Sequence, residues 1–269
     1  MCTGVRFADA AGNLYFGRNL DWCESYGEGV VITPRGASIP TQFLGSLSPE
    51  HACVGMGIVV DGVPCYFDCA NEAGLAIAGL NFPGYAQFAE APEKGAVNVA
   101  AYEFPLWVAA SFSTVAEVRK ALKDVVIVAK APSEGYGVAQ LHWLVGDGKE
   151  SIVIECQADG MHVYDDGLDV LTNQPPFPWH TENVRNYMHI ETAHPEPVAW
   201  TRDTLRAFGS GVRPFGAVVK HEGLYLRLEI VRQSLAPHHG VIRDHGRRPD
   251  HAQLLRDIGV RPGQPLHAG

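Results

Sequence analysis

The strongest constraint on this chain is how tight-turn sequences punctuate the apolar, β-branched runs of residues 2–172. Residues 54–60 and 63–70 meet across Asp61-Gly62, a pair that accepts the positive φ angles of a type I′ turn. Residues 2–8 and 14–21 flank Ala11-Gly12-Asn13, and Asn71-Glu72-Ala73-Gly74 precedes the run 75–80. Asp147-Gly148 separates 141–146 from 151–156, and Asp165-Asp166-Gly167 precedes 168–172. Connections this short join antiparallel strands, because a parallel crossover needs about a dozen residues or more. Helical signals interrupt the hairpins. Pro105 opens a helix through Leu106, Trp107, Val108 and Ala109, its missing N–H falling among donors that a first turn leaves unpaired. Ser113, or Thr114 with Glu117 three residues on, caps a second helix that buries Val115, Val118 and Leu122. A third is expected over residues 181–189. Hairpins with interspersed helices predict an α+β layered fold.

Composition locates a boundary. Residues 213–269 hold nine Lys/Arg against five Asp/Glu, whereas the whole 269-residue chain carries a net charge of −9. The excess of basic and His residues and the loss of aromatics divide the chain into a core, 1–212, and a divergent tail, 213–269. The tail's basic residues are interspersed with acids and prolines and form no periodic face, so neither nucleic acid nor membrane is expected as a partner. No apolar run approaches about 18 residues, and no basic segment leads into an apolar one, so the expectation is a cytoplasmic protein without span or signal peptide. The six cysteines lack the spacing of a disulfide scaffold. A zinc set from Cys65, Cys69 and His51 or Cys53 is disfavoured, because residues four apart on a strand are separated along it; no metal is expected.

Cys2 carries the chemistry. Removal of Met1 leaves a thiol and a free α-amine on one residue, and an amine with a reference pKa of about 7.7–8.0 can take the thiol proton. The thiolate then attacks an acyl carbon. If Gly12-Asn13 closes the first hairpin, Cys2 faces Cys23 with Asp21 diagonal to it; a four-residue loop sets Asp21 directly opposite. In either register Arg18 points to the other face and reaches Cys2 only through a bulge at Gly17. Asn81 and Asn173 each end an apolar run, where a loop can aim an amide into a cleft.

Met1-Cys2-Thr3-Gly4, Gly17-Arg18-Asn19-Leu20-Asp21, Asn71-Glu72-Ala73-Gly74-Leu75, the run from Ala78 to Tyr85, Phe104-Pro105-Leu106-Trp107 and Leu171-Thr172-Asn173-Gln174-Pro175 resemble the choloylglycine hydrolases. The resemblance runs to about residue 212. It implies an N-terminal-nucleophile hydrolase of four-layer αββα architecture that cleaves the amide between a bile acid and glycine or taurine without a cofactor. By the same resemblance Cys2 is the nucleophile, Arg18 and Asp21 support it, and Asn81 and Asn173 are the oxyanion-side residues. Leu20 and Trp22 are expected to contribute an apolar wall for a small-molecule steroid substrate. Asn at position 81, where penicillin V acylases usually carry Tyr, favours bile salts over that alternative. The family's later Gly-Leu-Pro-Gly-Asp loop, and the Arg that follows it, have no counterpart after residue 212. This is the pattern of a shifted reading frame, and it puts the family's homotetramer in question. A remnant that binds bile acids without turnover is the other alternative.

Overall fold

The computed structural model describes residues 2–187 and 197–205. The turn sequences form hairpins. β1 (Thr3–Ala8) pairs with β2 (Leu14–Asn19), and β6 (Cys53–Val60) pairs with β7 (Val63–Asn71) across Asp61 and Gly62, whose φ angles are 50° and 81°. β8 (Ala76–Asn81) returns beside β7, and β11 (Leu141–Gly146), β12 (Ser151–Gln157) and β13 (Gly160–Asp165) follow as a meander. With β3 (Gly29–Thr33) these strands make a seven-stranded antiparallel sheet in the order β13-β12-β11-β8-β7-β6-β3. β1 is flanked by β2 and β14 (Val170–Leu171) in a three-stranded sheet. Shorter strands complete three small pairs, β4 (Ile39–Thr41) with β5 (Gly45–Leu47), β9 (Val97–Ala100) with β10 (Val125–Val128), and β15 (Val198–Trp200) with β16 (Asp203–Leu205).

Two cores flank the large sheet. On one face it packs against α1 (Phe104–Ser111) and α2 (Val115–Ala121), where Leu75, Ile77, Phe104, Leu106, Val118 and Trp143 are buried. α1 is apolar all round and buried from Phe104 to Ala110, as a helix without a solvent face must be. Thr114 caps α2, its Oγ1 accepting from the Glu117 N–H, while the Glu117 carboxylate accepts from the Ser113 N–H. On the other face Ala78, Leu80, Leu144 and Val153 meet Cys2 and Leu171 of the small sheet. Gly4 permits the approach, since a Cβ there would lie 3.1 Å from Leu144 Cδ2. β8 lies between the cores, which is why its sequence, Ala-Ile-Ala-Gly-Leu, is apolar and small without alternation.

Three expectations need correction. The first hairpin takes neither predicted register. Its loop spans residues 9–13, where Asp9 Oδ1 accepts from the N–H groups of Ala11 and Asn13, so Thr3 faces Asn19 and Gly4 faces Arg18. Neither Cys23 nor Asp21 therefore opposes Cys2, and β2 ends before either. Arg18 shares the face of Cys2 with no bulge at Gly17, because the actual register differs in parity from both predicted ones. The third helix, α3 (Phe177–Asn183), begins four residues before the expected start, with Pro178 tolerated in its first turn. It gives way to a 3₁₀ turn over Val184–Tyr187, and the expected helix's last two residues, 188 and 189, lie outside the described residues. The division at residue 212 also lies outside them.

Candidate active site

The site lies where β1, β2, β8 and the segment after β14 converge. The β1–β14 register pairs Gly4 with Leu171, so extending it by two residues brings Asn173 beside Cys2. The Cys2 N–H donates to Asn173 Oδ1 at 2.7 Å, and Asn173 Nδ2 donates to the Asn81 carbonyl oxygen at 2.7 Å. One buried side-chain amide thus links the nucleophile candidate to the end of β8. Asn81 itself lines the adjoining cavity, and its side-chain amide makes no hydrogen bond among the described residues.

Arg18 reaches Cys2 from β2, diagonal to it. Its Nη2 lies 3.8 Å from Cys2 Sγ and donates to the Gly79 carbonyl oxygen at 3.0 Å. Nη1 lies 3.8 Å from the carboxylate of Asp68, and Nε is buried without a partner. Asp68 was not anticipated, although a lone acid within the apolar run 63–70 is a signal that could have found it. Burial raises the Asp68 pKa, opposed by the charge of Arg18 and a hydrogen bond from the Met56 backbone. The guanidinium therefore brings positive charge to the place where negative charge gathers once the sulfur has lost its proton.

Cys2, though buried, forms part of the wall of a cavity of about 560 Å³. Leu20, Trp22 and Tyr26 wall it from the segment around and after the end of β2; Tyr136, Val138 and Leu141 do so from the approach to β11. Leu20 and Trp22, expected to wall a steroid substrate, are among the residues lining this cavity. Asp21 between them is exposed and does not line the cavity. The lining is predominantly apolar, which suits a bulky apolar acyl group with its reacting carbon at Cys2.

A second thiol, Cys65, also lines the cavity, but burial, assisted by the charge of Glu103, pushes its pKa up to about 12. Burial likewise raises Cys53 to about 11 and Cys69 well above its ordinary value. Among the described residues no cluster of His, Cys, Asp and Glu is arranged to hold a metal ion. Sequence reasoning also missed His142, Glu155 and His180, which stand behind Asn173 and are buried.

The family of linear amide C–N hydrolases described as the choloylglycine hydrolase family matches residues 2–218. A bile salt hydrolase/transferase of Bifidobacterium longum subsp. longum is 54% identical over 217 residues, which are 80% of this chain and 68% of that protein. The crystal structure of the C2A mutant of the conjugated bile acid hydrolase from Clostridium perfringens is similar with a TM-score of 0.74 at 30% identity, covering 91% of this chain and 82% of that one. Penicillin V acylase from Agrobacterium tumefaciens, at 17% identity and a TM-score of 0.59 over 90% of this chain and 75% of its own, shares the fold alone.

Proposed function

This chain belongs to the choloylglycine hydrolase family of linear amide C–N hydrolases, and from that premise we propose that it hydrolyses the amide bond of glycine- or taurine-conjugated bile salts, with Cys2 as nucleophile. The observation that carries this reading is the Asn173 amide, which ties Cys2 N to Asn81 beside the Arg18 guanidinium, at the wall of an apolar cavity. Removal of Met1 converts the Cys2 nitrogen from a peptide N–H into an amine with a lone pair. The amine takes the thiol proton, and Sγ bonds to the amide carbon. Asn81 and Asn173 donate to the oxyanion; loss of one such donor costs about 2.7–4 kcal/mol. The C–N bond breaks, glycine or taurine departs with the proton from the ammonium, and an acyl thioester remains. Water, deprotonated by the same amine, attacks the thioester carbon; the C–S bond breaks, the bile acid leaves, and the Cys2 sulfur takes the proton back from the ammonium. In this scheme Asp21 holds the ammonium form of the amine, and Leu20 and Trp22 press on the steroid. The reading puts the enzyme in the cytoplasm, where a thiol nucleophile stays reduced.

The test compares hydrolysis of glycocholate and penicillin V by the purified chain and by Cys2→Ala, together with its intact mass. Glycocholate turnover that requires Cys2, in a protein lacking one methionine, is the expected result. Retention of Met1 in active protein would sink the mechanism, preferential cleavage of penicillin V would favour the acylase reading, and bile-acid binding without turnover would favour the remnant. The division at residue 212 belongs to the same reading. Grafting a relative's C-terminal region after Val212 should raise turnover, and unchanged turnover would count against that division.

A further inference from the structure

Behind Asn173, away from the cavity, stand three titratable side chains that the reaction scheme does not use. His142 and Glu155 are fully buried, on the adjacent strands β11 and β12, and His180 of α3 is 6% exposed. His142 Nε2 lies 2.6 Å from the Thr172 carbonyl oxygen, an atom that only accepts, so Nε2 carries a hydrogen. His142 Nδ1 lies 2.9 Å from Glu155 Oε1, which also accepts from the Phe177 N–H at 3.0 Å. Two bare lone pairs at that distance would repel, so Nδ1 and Oε1 share one proton, whichever atom holds it. The second Glu155 oxygen accepts from Gln157 Nε2 at 3.1 Å, which leaves the carboxyl group satisfied.

The pair acts on both oxyanion-side residues. His180 Nε2 donates to the Asn173 carbonyl oxygen at 3.0 Å, so imidazoles hold the carbonyls of two successive residues, Thr172 and Asn173. The His142 ring also stacks on Phe82, with centroids 4.3 Å apart and planes 7° from parallel, and Phe82 directly follows Asn81. A buried ionisable pair is weak evidence for stability, since apolar residues of the same volume often serve as well. We infer that His142 and Glu155, with His180, are positioning residues that hold Asn173 and Asn81 in register with Cys2. None of the three lines the cavity. The inference deepens the proposed function and rests on it for the roles of Cys2 and the two asparagines.

Glu155→Gln tests it. Glutamine keeps the size but offers one acceptor and one donor where two acceptors stood. With its oxygen toward His142 and Phe177, Nδ1 must carry a hydrogen, and Nε2 keeps its bond to Thr172 only if the ring is an imidazolium. With its amide nitrogen there instead, the Phe177 N–H is orphaned. Among the described residues, the charged or titratable groups facing the pair from other elements are His180 on α3 and Tyr164 on β13. Burial pushes the pKa of the first down and that of the second up.

The variant's kcat for glycocholate should therefore fall about tenfold or more, because neither orientation of the glutamine keeps all of these bonds with a neutral ring. KM should stay within about twofold, because the cavity wall is untouched. An unchanged kcat, or a loss residing in KM, overturns the inference. Should Glu155→Gln fail to fold, His180 decides. His180→Gln keeps an N–H for Asn173 and should retain kcat, while His180→Leu should lose about tenfold or more; equal activity in the two overturns the inference. A far-downfield proton NMR signal, present in the wild type and absent from Glu155→Gln, reads the shared proton without substrate. That signal in a protein without amidase activity would refute the proposed function and leave the proton-sharing pair intact.

Discussion

Cys2 and Cys65 line one cavity, yet only Cys2 has a guanidinium beside its sulfur and an asparagine oxygen on its nitrogen. Cys65 donates to the Val63 carbonyl, and burial holds its pKa near 12. Cys65→Ser should accordingly keep turnover within about threefold of wild type and protect nothing against thiol alkylation, which is read by activity and peptide mass after iodoacetamide. Arg18 supplies geometry that a point charge cannot reproduce. Its two terminal nitrogens engage Cys2, Gly79 and Asp68 at once, from a side chain only 6% exposed. Arg18→Lys should lower kcat/KM by about a hundredfold, with most of the loss in kcat, since an ammonium reaches one of those partners and leaves the others bare. A variant with near-normal kcat would remove Arg18 from the reaction.

At the scale of elements, the Asn71 side chain ties the hairpin β7–β8 to the end of α1. Asn71 Nδ2 donates to the carbonyls of Ala109 and Phe112 at the end of the helix, while its Oδ1 accepts from the N–H groups of Ala73 and Leu75. The turn motif therefore also caps the helix, and the sheet bearing Asn81 cannot slide under the helical layer. The neighbouring β6–β7 pair depends on close approach instead. A Cβ at Gly55 would overlap the Asp68 carbonyl oxygen and the Cys69 Cα, which are main-chain atoms that no rotamer change can move. Gly55→Ala should cost about 3 kcal/mol or more, a fall in Tm of roughly 6–12 °C, and it should also weaken activity because Asp68 supports Arg18. Calorimetry and the same kinetic assay check both.

At the scale of the whole molecule, stability should depend on Asp166, in the connection from β13 to β14. Burial, with the nearby charge of Asp169, raises its pKa from 3.8 to about 7, against hydrogen bonds from the Leu168, Asp169 and Val170 backbone, and its Oδ2 is buried without a partner. Between about pH 4 and 7 the folded protein holds a proton at Asp166 that the unfolded chain has released. This contribution therefore weakens as pH rises through that window and is lost above it. An asparagine side chain at this position cannot ionise. The Tm of Asp166→Asn relative to wild type should increase from pH 5 to pH 8, and a constant difference would show that Asp166 ionises as freely in the fold as in the open chain.

Hairpin turns, helix caps and the thiol–amine pair proposed as the reacting groups were legible in the sequence because each depends on neighbours a few residues away. Asp61-Gly62 sets its own turn, Thr114 meets Glu117 one turn on, and a thiol next to an α-amine is covalent structure. What reaches Cys2 is a different matter. The loop at residues 9–13 is closed by Asp9, a choice that shifts the register by an odd number and moves Arg18 from the far face to the near one. Asn173, 171 residues away along the chain, meets Cys2 only because β14 pairs with β1. His142 and Glu155, adjacent on β11 and β12, read in the sequence as two polar residues in apolar runs, and the packed sheet buries them 2.9 Å apart. Local chemistry names the groups; long-range strand pairing, selected by which faces can be buried together, decides which of them meet.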